Sequence, residues 1–523
     1  MGSAGAGASV RHDDPSAARW TLAAAILGSS IAFLDANVVS VALPVIQKNL
    51  SATVSSAQWV VEAYALFLSA LVLVGGSLAD RFGRRRVFVV GVAAFAAASV
   101  LCGLAPSAPA LIAARAAQGI AAALLVPSSL AILAAAYPPG KRGRAIGTWS
   151  ALTSISGAVG PVLGGWLVEA ASWRAVFFLN VPIAAVVLVI ARAKIRESRN
   201  PGAGGVDVPG ALLATAGLGG VVFGLIELPS SGWGAPLVFG PLAGGTACLV
   251  ALVAVEHRRS SPMVPIALFR IRAFAATNIL TFFLYGAFGA AFFFLPFELI
   301  QGKGYSSAAA GAAMLPIVLL ISSLSRTAGK LADRLGPRLF LTAGPSIVAA
   351  GFLLLALRVP EHGYVSGILP GACAMGLGMA LTVAPLTTTV LNAVDRRQSG
   401  AASGINNAVA RVAGLLFIAA VGVVASRAFD RDLDRRLASP GFSSAARAMP
   451  EAERRKLGAA RAPSGLPEPE RRKVQETIAL ALGSSFRVVM EIGAALALLA
   501  GACAAFGLRS GGPQSERSSA KAR

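Results

Sequence analysis

Fourteen stretches of mainly apolar residues, each long enough to cross a lipid bilayer, divide this chain almost from end to end. They lie near residues 20–44, 57–79, 87–104, 110–133, 146–169, 175–193, 208–228, 236–255, 274–298, 307–328, 339–358, 363–386, 401–425 and 478–507. A membrane-spanning helix needs about 20 such residues. A chain in hydrocarbon must satisfy its backbone hydrogen bonds internally, which leaves only helices and closed barrels. Barrel strands are about 10 residues long and alternate polar with apolar positions, and these stretches do neither. The sequence therefore predicts an all-α integral membrane protein with 14 transmembrane helices. Charged residues make up 13% of the chain, against roughly a quarter in a soluble domain.

The net charge of +22 would point to nucleic acid in a soluble protein. Here most basic residues sit in short turns between apolar stretches, so the lipid bilayer, and not nucleic acid, is the expected partner. Taking alternate short loops together, one side carries 20 Lys and Arg and the other carries four. Basic loops stay cytoplasmic. Both termini are accordingly expected in the cytoplasm of a cell inner (plasma) membrane protein, with tails at 1–19 and 508–523. Residues 1–19 lack the pattern of a removable signal peptide. Residues 427–477 carry 12 basic and eight acidic residues and are expected outside, as a solvated, partly helical or disordered loop.

A charged turn recurs. Gly76-Ser-Leu-Ala-Asp80-Arg81-Phe-Gly83-Arg84-Arg-Arg86 is echoed 253 residues later by Gly329-Lys-Leu-Ala-Asp333-Arg334-Leu-Gly336-Pro-Arg338. Each turn follows the second helix of its half, so the chain reads as two six-helix bundles, 20–195 and 274–507, with an inserted helix pair at 208–255. Parallel repeats of this kind are a transporter plan.

Ionisable groups inside spans are costly and face a cavity or a partner. At about 1.5 Å per residue, Asp35, Glu62 and Arg115 all fall in the outer half of the first bundle. Two carboxylates near an arginine can exchange protons and change partners as access alternates; the alternative is a fixed ion pair that orients helices. In the second bundle Arg411 and Glu491 are placed to form a charge pair, read as structural. Arg326 is expected to snorkel, and Glu169, Glu227 and Glu298 to lie at the interface. Phe282-Phe283 and Phe292-Phe293-Phe294 either line an aromatic cavity or pack helices. Pro161, among the glycines 157–165, removes a backbone donor, and small residues there permit close helix approach. There is no phosphate-binding GxxxxGK[ST] loop. His12, His257 and His362 form no catalytic set, and Cys102, Cys248, Cys373 and Cys503 have no metal-ligand spacing. No enzyme, metal or cofactor is expected, and a proton gradient is the expected energy source.

The chain resembles the major facilitator superfamily, and within it the 14-helix drug:proton antiporters. The two charged turns match that superfamily's loop signature. Leu34-Asp35-Ala-Asn37-Val-Val-Ser40-Val-Ala-Leu43-Pro44 is similar to the first-helix motif, departing from the usual Thr and Asn at Asn37 and Ser40. Arg115-Ala-Ala-Gln118-Gly119 matches the fourth-helix motif, and Trp173-Arg174 through Phe177 to Asn180-Val-Pro182 is typical of the branch. Gly157, Gly160, Pro161, Gly164 and Gly165 form the antiporter motif. Asp35 and Arg115 fall within these motifs, and with Glu62, which is placed beside them by depth alone, they are the expected proton-coupling residues. The resemblance implies gating by Gly76, Asp80, Arg81, Gly83 and Arg84 and by Asp333, Arg334 and Gly336. The function it implies is export of small amphipathic compounds, cationic drugs included, in exchange for protons. The alternatives are a dedicated exporter of one metabolite or self-made antibiotic, and a non-transporting receptor or scaffold.

Overall fold

Each apolar stretch folds as a helix in a computed structural model that describes residues 15–199, 207–258, 266–359, 363–395 and 398–508. Fourteen helices among the described residues are long and apolar enough to span a membrane: α1 Ser16–Asn49, α2 Val54–Phe82, α3 Arg84–Leu104, α4 Ala108–Ala136, α5 Lys141–Ala170, α6 Ala175–Lys194, α7 Val208–Ser231, α8 Pro236–Arg258, α9 Arg272–Gly302, α10 Ser307–Leu335, α11 Pro337–Arg358, α12 Tyr364–Asn392, α13 Ala402–Leu437 and α14 Glu468–Gly507. They overrun the apolar stretches mostly at charged ends, because a helix continues past the residues that hydropathy scores. Most of both tails, and Arg259, His12, His362, Arg396 and Arg397, lie outside the described residues.

Two spans are interrupted where proline removes a donor. α6 breaks at Leu179, ahead of Pro182, and α10 breaks at Met314, ahead of Pro316. α5, by contrast, is continuous through Pro161.

Packing repeats across the chain. α4 lies against α2 and α3, and α1 against α5 and α6; likewise α12 lies against α10 and α11, and α9 against α13 and α14. The two charged turns are equivalent in backbone as well as sequence, with φ of 114° at Gly83 and 88° at Gly336. Side chains rarely adopt that region, and glycine enters it freely. α7 and α8 pack on each other. α7 also seals against α2 and α13, through Leu218, Val222 and Ile226 on Leu66, Leu415 and Ala419, whereas α8 leaves Leu237, Phe239 and Val250 exposed.

The segment joining α13 to α14 differs from expectation. It is an ordered cap with its own apolar core, formed by Phe429, Leu433, Leu437, Met449, Leu457, Leu466, Val474 and Ile478. It is tied to other helices: Val54 N–H donates to the Arg455 carbonyl at 3.0 Å, the Gln47 amide to the Lys456 carbonyl at 3.0 Å, and Arg455 to the Ser230 carbonyl at 3.2 Å. Apolar residues at helical spacing (429, 433, 437) build this core inside a stretch whose average polarity conceals them.

Candidate transport site

Asp35 lies at the centre of a closed polar cluster inside the first half. The cluster draws on α1, α3, α4 and α6. Arg115 pairs with Asp35, and the same carboxylate accepts from the Gln118 amide at 2.9 Å and the Asn180 amide at 2.8 Å. Arg115 also donates to the Val60 carbonyl at 2.9 Å and to the Gln118 side-chain oxygen at 2.6 Å. Gln118 donates in turn to Ser99 at 2.9 Å. The guanidinium lies over the Tyr64 ring, 4.3 Å from its centroid. Asp35, Ser99, Arg115, Gln118 and Asn180 are all buried, and one carboxylate balances one guanidinium, while the Asn180 side-chain oxygen has no hydrogen-bond partner among the described residues. Ser99 and Tyr64 had no distinguishing signal in the sequence; one uncharged polar residue in an apolar helix identifies nothing.

Glu62 does not join this cluster. Successive residues in a helix turn by about 100°, so Val60 and Tyr64 face α4 while Glu62 points away from them. It shares a face with Gln58, which donates to the Ile418 carbonyl of α13 at 3.1 Å, and with Leu66, which packs on Leu415. Glu62 is fully buried, and neither carboxyl oxygen has a hydrogen-bond partner among the described residues.

The second half departs further from expectation. Arg411 and Glu491 do not pair: Glu491 is exposed on α14, while the Arg411 guanidinium reaches the first half and lies 5.9 Å from the centroid of Phe33 on α1. Spacing places residues by depth and says nothing of azimuth. Glu298 lies at the end of α9, in its π-helical turn, and is buried there, whereas Arg326 and Glu169 are exposed. Phe293 and Phe294 are core residues and Phe292 stacks on Phe288 at 5.7 Å, so these rings pack helices. Phe282 and Phe283 form a half-buried cluster with Phe417, with centroids 5.3–6.3 Å apart.

The glycines of α5 serve two contacts. A Cβ at Gly160 would lie 2.8 Å from Asn37, and one at Gly164 2.8 Å from the Val38 carbonyl, so these residues, with Gly157, let α5 close on α1. Gly165 faces the other half, where a Cβ would lie 2.2 Å from the Ser307 carbonyl. Reciprocally, a Cβ at Gly311 would lie 2.1 Å from the Pro161 carbonyl. These contacts, with Gln58 on α13 and a 3.0 Å bond from Gln301 to Gln47, join the halves toward the end opposite the charged turns.

At the first turn Asp80 pairs with Arg84 at 2.8 Å. Glu197, in the α6–α7 connection, accepts from the backbone N–H of Arg85 at 3.0 Å and of Arg86 at 3.1 Å, capping α3 where negative charge is favoured. A Cβ at Gly83 would lie 2.7 Å from this carboxylate. Nothing in the sequence distinguishes Glu197, an acid within a basic loop. Gly76 sits against Pro127 of the same half, and Arg81 lies over its neighbour Phe82. Asp333 and Arg334 of the second turn form no ion pair among the described residues.

Two helical bundles, repeated in packing and joined across an interface with charges buried beside it, define an integral membrane transporter and not an enzyme. The chain belongs to the Major Facilitator Superfamily, which residues 25–418 match. It is 36% identical over 410 residues to the multidrug resistance protein Stp of Mycobacterium tuberculosis, covering 77% of this chain and 75% of that protein. It is 37% identical to the cephamycin export protein CmcT of Amycolatopsis lactamdurans, covering 79% and 86%, and 36% identical to the puromycin resistance protein pur8 of Streptomyces alboniger, covering 78% and 82%. The same fold occurs in a bacterial homolog of the human lysosomal transporter Spinster, with a TM-score of 0.66 at 17% identity over 95% of this chain and 99% of that one.

Proposed function

We propose that this protein exports amphipathic compounds from the cytoplasm in exchange for protons. The observation that carries this reading is the buried Asp35–Arg115 centre, set in a chain whose relatives are named for drug resistance and export. A carboxylate held by a guanidinium and two amides can be released only by accepting a proton or by a rearrangement of α1 against α4, which links protonation to helix movement. Taking the basic end as cytoplasmic, the conformation is sealed toward the outside by the Gly165–Ser307 and Gly311–Pro161 approaches. The charged turns then act as the cytoplasmic gate. Asp333 and Arg334 form no ion pair among the described residues in this conformation and are available to a partner in another.

Glu62 supplies a second proton-responsive carboxyl, enclosed without a donor among the described residues. Glu62→Gln keeps its shape and removes its titration, so the variant should fold and bind substrate but lose most gradient-driven efflux. Full efflux by Glu62→Gln would remove Glu62 from the mechanism. The general test is efflux from everted vesicles with an imposed pH gradient, over a panel of amphipathic dyes and antibiotics. Movement should follow the gradient and collapse with an uncoupler, whereas movement insensitive to the gradient would exclude proton exchange. The name of the cephamycin exporter favours a narrower reading, export of a single metabolite, and a response to one compound class alone would select it.

A further inference from the structure

One half-buried charge faces the junction of the halves with no acid paired to it among the described residues. Arg411, in the N-terminal third of α13, makes no hydrogen bond or ion pair among the described residues. The acids that a depth argument offers it are otherwise placed. Asp35 is held by Arg115, Gln118 and Asn180, and Glu491 is exposed on α14. Glu62 lies on the α2 face beside Gln58, with neither oxygen bonded. The nearby Tyr64 hydroxyl donates to the Ala32 carbonyl at 3.0 Å.

The surface opposite the guanidinium is equally specific. On α1, Leu34, Asp35, Val38 and Val39 are buried, while Phe33, Asn37 and Ser40 are half-buried and Ala36 is exposed. That spacing, i, i+3, i+4, i+7, is one helix face, and the Phe33 ring at its end is the one Arg411 approaches. The Asn37 amide donates to the Phe33 carbonyl at 2.8 Å and the Ser40 hydroxyl to the Asn37 carbonyl at 2.6 Å, so neither contributes a net charge. The stripe, bordered at Asn37 by Gly157 and Gly160 of α5, and the guanidinium at its Phe33 end together present an aromatic ring, small polar groups and one permanent cation.

We propose that Arg411 is the anion-recognising residue of the transport route. It takes the carboxylate, enolate or phenolate of an amphipathic acid, whose apolar body lies along the Phe33 stripe. A guanidinium matches a planar anion through paired N–H donors. It disfavours a cation by like charge, so this assignment turns the expected preference from cationic to acidic compounds. It rests on the export reading above.

The test uses purified protein in proteoliposomes with an imposed pH gradient and two probes, fluorescein as the anion and ethidium as the cation. Arg411→Gln should slow fluorescein transport at least about tenfold, as for loss of a hydrogen bond to a charged group, and leave ethidium transport unchanged or faster. Arg411→Lys should recover part of the fluorescein rate. Equal loss of both probes in Arg411→Gln, or undiminished fluorescein transport, would overturn the assignment and leave export standing. Movement of neither probe by the wild type would overturn both. If Arg411→Gln does not reach the membrane, equilibrium binding to the detergent-purified wild type decides: fluorescein should bind more tightly than ethidium, and the reverse order would refute the proposal.

Discussion

Asp35→Asn is expected to abolish gradient-driven export and to cost about 3–5 kcal/mol of stability, the usual consequence of removing one partner from a buried ion pair. The reason is an asymmetry between the partners. Arg115 is fully enclosed and cannot shed its charge, so with Asn at position 35 it keeps only neutral oxygen acceptors and two aromatic rings, with no anion to balance it. Arg115→Met leaves a carboxyl that can accept a proton, and so should destabilise less while still ending export. The double variant Asp35→Asn/Arg115→Met should regain much of the lost stability and none of the transport. Thermal unfolding in detergent together with vesicle efflux distinguishes these outcomes. Recovery of export in the double variant would reduce the pair to a structural strut.

The second large effect is expected at the junction of the halves. Gly311→Leu places a branched side chain where even a Cβ would lie 2.1 Å from a backbone oxygen of α5. Backbone cannot yield as a flexible side chain does, so the halves should separate at this end. Insertion should be normal, because each half keeps its own core, and export should fall to background. Labelling of a cysteine introduced at Ser307 reads the separation directly and should be faster in Gly311→Leu than in the wild type. Gly160→Leu should behave differently, because Gly160 faces Asn37 within the first half; it should lower stability without opening Ser307 to label. If Gly311→Leu transported normally, the approach of α5 to α10 would have no part in closure.

What the sequence revealed, and what it withheld, follows from which quantities it encodes. Span length and charge along the chain are one-dimensional, so the helices and the equivalence of Gly83 with Gly336 were legible. Asp35, Arg115, Gln118 and Asn180 were legible through the motifs that carry them, and the structure gathers them into one cluster. Azimuth was not legible. Glu62 and Val60 are two residues apart and face different neighbours, and Arg411 turns from Glu491 toward Phe33. A helix apolar on most sides carries little periodicity from which to read a facing direction. Glu197 and the core of the cap were concealed for another reason: each is a minority residue type within a segment of opposite average character.

Export and proton movement are expected to be one process passing through Asp35. Proteoliposomes loaded with a pH-sensitive dye report this directly when an exported compound is added with no pH gradient imposed. Wild-type protein should drive protons against the compound's movement, and Asp35→Asn, reconstituted in equal amount, should drive none. Equal proton movement by Asp35→Asn, or compound movement by the wild type without protons, would contradict the account.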